Sequence, residues 1–138
     1  MADRVRKVNY CYVTVPSRAG QGSRVLDELR DAGVDLIAFS GFPGKKGHSQ
    51  LDLVTEHMPA VRRLAKKNGW RLSKMKKGFH VQGKDVTGAV ARHVDKLADA
   101  KINVVAADAV AAGKGRYGMV LWVRPKDYAR AARTLRAK

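Results

Sequence analysis

The sequence predicts an α+β chain of two βαββαβ units with antiparallel sheets and helices on one face, the second unit lacking its own last strand. Three observations carry this. Apolar β-branched runs alternate with amphipathic stretches of 3.6-residue period, the whole pattern restarts near the middle of the chain, and residues recur at a fixed spacing of 68 positions. The copies divide as residues 5–76 and 77–138.

Within the first copy, Val8 to Val15 reads as a strand that Pro16 ends, because proline cannot donate to a ladder. Gly20 and Gly22 allow a tight turn, and Val25, Leu26, Leu29 and Ala32 then mark the apolar face of a helix from Gln21 to Ala32. Gly33 stops it, and Val34 to Phe42 is a second strand. Gly41 to Gly47 forms a hairpin turn, followed by a strand from Ser49 to Thr55 with Leu51 and Leu53 on one face and Asp52 on the other. Pro59 fits the first turn of a helix through Val61, Leu64 and Ala65, which Asn68-Gly69 ends, and Trp70 to Met75 supplies a short fourth strand.

The second copy repeats the order. Phe79 to Gln82 is a strand, Gly83 to Gly88 a loop, and Ala89 to Ala100 a helix with Val90, Val94, Leu97 and Ala98 on its apolar face. Ile102 to Val110 and Tyr117 to Val123 are strands around the turn Ala111 to Gly115, and Pro125 opens a last helix through Tyr128, Ala132 and Leu135. Without any gap, Gly20 falls on Gly88, Arg24 on Arg92, Leu29 on Leu97, Asp31-Ala32 on Asp99-Ala100, and Lys46-Gly47 on Lys114-Gly115. The second copy ends before a fourth strand. An exposed sheet edge invites aggregation, so a strand borrowed from Arg4 to Val15 or from a partner chain is expected there. Met119, Leu121 and Val123 should face the helices, leaving Val120 and Trp122 to be covered by a second copy or by a neighbouring sheet of the same chain.

Composition narrows the function. With 28 Lys and Arg against 12 Asp and Glu, the formal net charge of +16 keeps a nucleic-acid or other acidic partner open. No apolar run matches a membrane span and no apolar segment follows Met1 to Lys7, so a cytoplasmic protein without membrane contact is expected. The single Cys11 excludes an internal disulfide, and His48, His57, His80 and His93 lack metal-ligand spacing. No nucleophile context or carboxylate pair suggests catalysis, so no enzyme activity and no cofactor are expected. Gly20-Gln21-Gly22 lacks the third glycine of a dinucleotide fingerprint, and the lysine-rich hairpin tips lie between strands rather than before a helix. Lys77-Gly78-Phe79-His80-Val81 partly matches an RNA-recognition strand, in which Phe79 would stack on a base.

Pro16-Ser17-Arg18-Ala19-Gly20, Arg24 to Leu29 and Asp31 to Leu36 together resemble the opening of an ACT domain. Gly83 to Ala91 followed by Leu97 to Val104 resembles it again, and the likeness covers residues 8–136. The copies depart from the usual form at Ser17, Ala19, Val86, Thr87 and Lys101, the last standing where a glycine commonly ends the helix. The resemblance implies ferredoxin-like units and a non-catalytic regulatory role, binding a small ligand such as an amino acid where the strand–helix loop of one copy meets the second strand of a neighbour, in a homodimer. It nominates Gly20, Gln21, Gly22, Asp35, Leu36 and Ile37, with Gly88, Ala89, Asn103, Val104 and Val105. Amides at the helix starts suit a carboxylate, and Asp35 and Asn103 either accept an ammonium group or merely end helices. The alternative is a basic nucleic-acid-binding or interaction module on the same fold.

Overall fold

A computed structural model describes residues 3–138, with four α-helices and seven strands among them. The order is β1 (Arg4–Pro16), α1 (Gln21–Asp31), β2 (Ala38–Pro43), β3 (His48–Val54), α2 (Met58–Asn68), β4 (Arg71–Leu72), β5 (Lys76–Lys84), α3 (Ala89–Asp99), β6 (Val104–Gly113), β7 (Arg116–Val123) and α4 (Tyr128–Leu135), with a 3-10 turn at Pro125–Asp127 before the last helix. The chain forms two compact units, Asn9–Lys76 and residues 3–8 with Lys77–Lys138.

In the first unit β3 lies between β2 and β1, with Cys11 opposite Leu53 and Gly41 opposite Leu51, and β4 pairs with the other edge of β1 at Val13 and Thr14. The strand order β2-β3-β1-β4 is that of a ferredoxin-like unit. Its core joins Cys11, Val13, Leu51 and Leu53 of the sheet to Val25 and Leu29 of α1 and to Met58, Val61 and Leu64 of α2. The helical residues recur at spacings of three and four, so each helix has one stripe to bury. Asp52 is also buried, and Gln50 Nε2 donates to its carboxylate at 2.9 Å.

In the second unit the order is β6-β7-β5, and the free side of β5 is hydrogen-bonded to β1. The missing fourth strand is therefore supplied by the head of β1, one of the two sources expected from the sequence. Residues 5–8, which open the first copy in the sequence alignment, belong here to this second unit. Val5 sits in its core with Phe79 and Leu121, and the backbone of this segment is tied to the chain end by Lys138 N–H to Val5 O at 3.1 Å and Lys7 N–H to Lys138 O at 3.2 Å. β1 thus begins at Arg4 rather than Val8, because an additional set of hydrogen-bond partners awaits its first residues.

Three other expectations are corrected. β2 starts at Ala38 rather than Val34, since Val34 N–H closes the end of α1 on Leu29 O at 2.9 Å. α3 buries Ala89, His93 and Leu97 rather than the face centred on Val90 and Val94, leaving Val90 exposed. Phe79 is fully buried and stacks on Tyr128, with centroids 4.7 Å apart, so it has no face for a base. Val120 is buried and Trp122 half-buried within the single chain.

The repeat extends to backbone geometry. Gly20 and Gly88 cap α1 and α3 with φ of 89° and 81°. Ser17 N–H donates to Gly47 O and Asp85 N–H to Gly115 O, both at 2.8 Å. Lys46 and Lys114 carry φ of 51° and 56° in the two hairpin tips. No described helix is long and apolar enough to cross a membrane.

A groove at the start of the third helix

The second unit contains a groove of about 300 Å³ between the β5–α3 loop and β6. Asp85 and Val86 line it from the loop, Val90 and Ala91 from the first turn of α3, and Ala109 to Ala111 from β6. Gly88, in the left-handed region, caps α3, and Gly88 to Ala91 line the groove. Ala89 N–H is taken by Val86 O at 3.0 Å, whereas the N–H groups of Val90 and Ala91 have no acceptor four residues back within the helix. Small residues on β6 keep the opposite wall low: Ala109 and Ala111 are exposed, and Val110 is 68% exposed at the rim. The groove therefore brings together the first turn of α3, the acidic residue Asp85 and the aliphatic residues Val86, Val90 and Val110.

Its floor is Tyr117, which is buried and held from behind. The Tyr117 hydroxyl donates to the carboxylate of Asp3, as do His93 Nε2 at 2.7 Å and Arg92 Nη2 at 3.1 Å. The Asp3 side chain is 3% exposed and His93 6%. Burial opposes the charge on Asp3, but the hydrogen bonds from Tyr117 and His93 and the positive charge of Arg92 outweigh it and hold the carboxyl below its usual range. The same contact, after burial itself, pushes the Tyr117 phenol up to about 12. Asp3 lies directly over Gly83, where a Cβ would overlap Oδ1. A glycine is needed at 83 for this close approach, which explains why β5 carries one next to its last residue.

The residues nominated from sequence are distributed as follows. Gly88 and Ala89 line the groove. Asn103, Val104 and Val105 occupy the opening of β6, outside the groove lining, which draws on Ala109 to Ala111 further along that strand. In the first unit, Gly20, Gln21 and Gly22 form the cap and first turn of α1, and the space above Gly22 is met by Leu51 Cδ1 at 3.7 Å. Asp35, Leu36 and Ile37 lie in the α1–β2 connection. There the Asp35 carbonyl accepts from the Thr55 hydroxyl at 2.6 Å and Ile37 N–H donates to Val54 O at 2.7 Å, so this backbone braces the β3–α2 loop. Where the second unit has Asp85 and Tyr117, the first has Ser17 and Ser49, whose hydroxyl oxygens are 2.6 Å apart.

Sequence reasoning did not nominate Tyr117, Ala109 to Ala111 or Asp3. The 68-residue offset places Asp85 and Tyr117 opposite Ser17 and Ser49, a signal of two different solutions at one position, but nothing local in the sequence connects Asp3 to either.

No described protein family matches the sequence, and no curated protein matches it. Solved structures do. Protein BT0572 from Bacteroides thetaiotaomicron superposes with a TM-score of 0.78 at 14% identity, covering 97% of this chain and 88% of that one. The ligand-free regulatory subunit of aspartate kinase from Thermus thermophilus superposes with a TM-score of 0.62 at 12% identity, covering 98% of this chain and 93% of that one. The corresponding subunit from Thermus flavus gives 0.60 at 16% identity, with 98% and 94% covered. At these identities the likeness is one of fold, the α+β fold of ferredoxin-like units expected from the sequence.

Proposed function

We propose that this protein is a non-catalytic sensor that binds a small amino acid in the groove between the β5–α3 loop and β6. The observation that carries the reading is the juxtaposition of the first turn of α3, Asp85 and the aliphatic residues Val86, Val90 and Val110 around one groove of about 300 Å³. A zwitterion asks for amide donors at its carboxylate and an anionic acceptor at its ammonium, and the valines suit a small apolar side chain. The fold likeness to regulatory subunits of aspartate kinase supports a regulatory role rather than a catalytic one. Of the alternative, a basic nucleic-acid-binding or interaction module, one form loses its ground: Phe79 is stacked inside the core and has no face for a base.

Thermal unfolding with each of the common amino acids tests the proposal. A ligand at roughly 100 times its Kd stabilises by about 2.7 kcal/mol, which raises Tm by roughly 5–15 °C for a chain of this size. Ala109→Phe, which fills the groove from an exposed position, should abolish that rise while leaving the ligand-free Tm close to wild type. No response to any amino acid, or an unchanged response in Ala109→Phe, would overturn the reading.

A further inference from the structure

Between Glu56 and Asp85 the sequence contains no acidic residue but nine cationic ones, Arg62, Arg63, Lys66, Lys67, Arg71, Lys74, Lys76, Lys77 and Lys84. Most of them fall on α2 and the segment after it, all in the first unit up to Lys76. α2 buries Val61, Leu64 and Ala65 in the core, which turns Arg62, Arg63, Lys66 and Lys67 outward as one exposed stripe at spacings of one and four. Gly69 ends the helix in the left-handed region and Trp70 N–H returns to Ala65 O at 2.9 Å, so the following chain folds back beside it. Arg62 Nη2 reaches Met75 Sδ at 3.9 Å, which brings exposed Lys74 next to the helical stripe. Among the described residues, Arg63, Lys66, Lys67, Arg71 and Lys74 enter no ion pair.

Elsewhere in the chain comparable arginines are engaged. Arg130, the counterpart of Arg62 in the other copy, donates to Ala100 O at 2.6 Å and to Asp127 Oδ1 at 3.3 Å. Arg30 is paired with Asp27 at 3.4 Å and Asp31 at 3.1 Å. Apart from the Arg62 contact with Met75 Sδ, no ion pair or hydrogen bond among the described residues engages the α2 cations, while their mutual repulsion costs stability. A membrane-surface helix would carry large apolar side chains at its exposed face, and the apolar face of α2 is wholly committed to the core.

We propose that the exposed face of α2, with Arg71 and Lys74, binds the phosphate backbone of double-stranded nucleic acid without reading its sequence. This surface shares no residue with the groove, and the proposal does not depend on the amino-acid reading. Six clustered cations neutralising phosphates give binding that weakens steeply with salt, each contact contributing about −0.9 to the slope of log K against log salt.

Fluorescence anisotropy with a labelled mixed-sequence duplex of about 20 base pairs, titrated between about 50 and 200 mM salt, tests this. The combined variant Arg62→Ala, Arg63→Ala, Lys66→Ala, Lys67→Ala alters only exposed side chains, and circular dichroism and Tm establish that it remains folded. A second variant, Lys96→Ala, Arg116→Ala, Lys126→Ala, Arg133→Ala, removes the same charge from exposed positions of the other unit. The expected result is at least about a tenfold loss of affinity at low salt for the first variant, with a salt slope smaller in magnitude by up to about 3.6, and less than about a threefold loss for the second. The proposal is overturned if the wild-type protein does not bind the duplex at low salt, if both variants lose affinity alike, or if the α2 variant binds as wild type does. It is equally overturned if vesicles containing phosphatidylserine bind the wild-type protein and the duplex does not.

Discussion

Asp3 and His93 lie ninety positions apart in sequence, yet His93 Nε2 meets the Asp3 carboxylate at 2.7 Å with both side chains out of solvent. The position of His93 in α3 is that of Val25 in α1, which is 2% exposed in an apolar core. A histidine is tolerated there because the incoming strand carries a carboxylate to it, and the carboxylate is tolerated because His93, Arg92 and Tyr117 all donate to it.

Removing one partner should therefore cost much more than removing both. Asp3→Ala is expected to lower stability by about 2–4 kcal/mol, because it leaves buried donors unsatisfied. Combining it with His93→Val, which copies the first unit's core, should recover more than half of that loss. Urea unfolding of the two single variants and the double variant measures this. Additive losses would show that the two side chains are not coupled.

The acid limb of stability should carry the mark of Asp3. Its carboxyl ionises more easily in the folded chain than in the unfolded one, so its contribution is complete above the unfolded value and is lost as pH falls through the folded value. The stability difference between wild type and Asp3→Asn should be constant from neutral pH to about pH 4–5 and shrink below that. A difference that stays constant as pH falls below about 4 would contradict the assignment to Asp3.

Alkaline pH probes the buried hydroxyl and thiol groups. Burial, reinforced by neighbouring carboxylates, pushes Tyr10 and Tyr117 up to about 12 and Cys11 up to about 11. Each favours the neutral form in the folded chain, so its stabilising contribution is present below the unfolded value and is lost as pH rises toward the folded one. Stability should fall between about pH 9 and 12, less steeply in Tyr117→Phe. Cys11, 1% exposed, should react with a thiol reagent only as fast as the chain opens.

Gly83 is tested by its neighbour. Gly83→Ala should destabilise by at least about 2 kcal/mol, since the new Cβ would displace an Asp3 side chain that three donors hold in place. In an Asp3→Gly background the same substitution should cost less than about 1 kcal/mol. A thermal-denaturation cycle compares the two backgrounds.

Gly33 and Lys101 end α1 and α3 at equivalent positions, with φ of 72° and 60°. A lysine in the left-handed region is strained where a glycine is not, so Lys101→Gly should raise stability by about 0.5–1 kcal/mol and Gly33→Lys should lower it by a similar amount. Calorimetric Tm values decide it, with a fall in Lys101→Gly contradicting the argument.

Much of this was legible in the residues because it is local. The helix starts at Gln21 and Ala89 follow from a flexible glycine and a 3.6-residue apolar period, and the repeat follows from identities at one spacing. Even the need for a borrowed strand could be read, because a sheet edge without a partner is a physical liability wherever it arises. The buried face of α3 was misplaced by one position for a non-local reason: a histidine scores as polar until its carboxylate partner is known.

The sequence by itself determined the α+β class, the repeat, the two glycine-capped loops and the excess of positive charge. Only the tertiary structure decided that the fourth strand of the second unit comes from the head of β1, and that Ala109 to Ala111 line a groove with the β5–α3 loop. It also decided that Tyr117 is held by Asp3. Each of these depends on which distant segments meet. A hydrophobic period states that a face must be buried, but not what buries it.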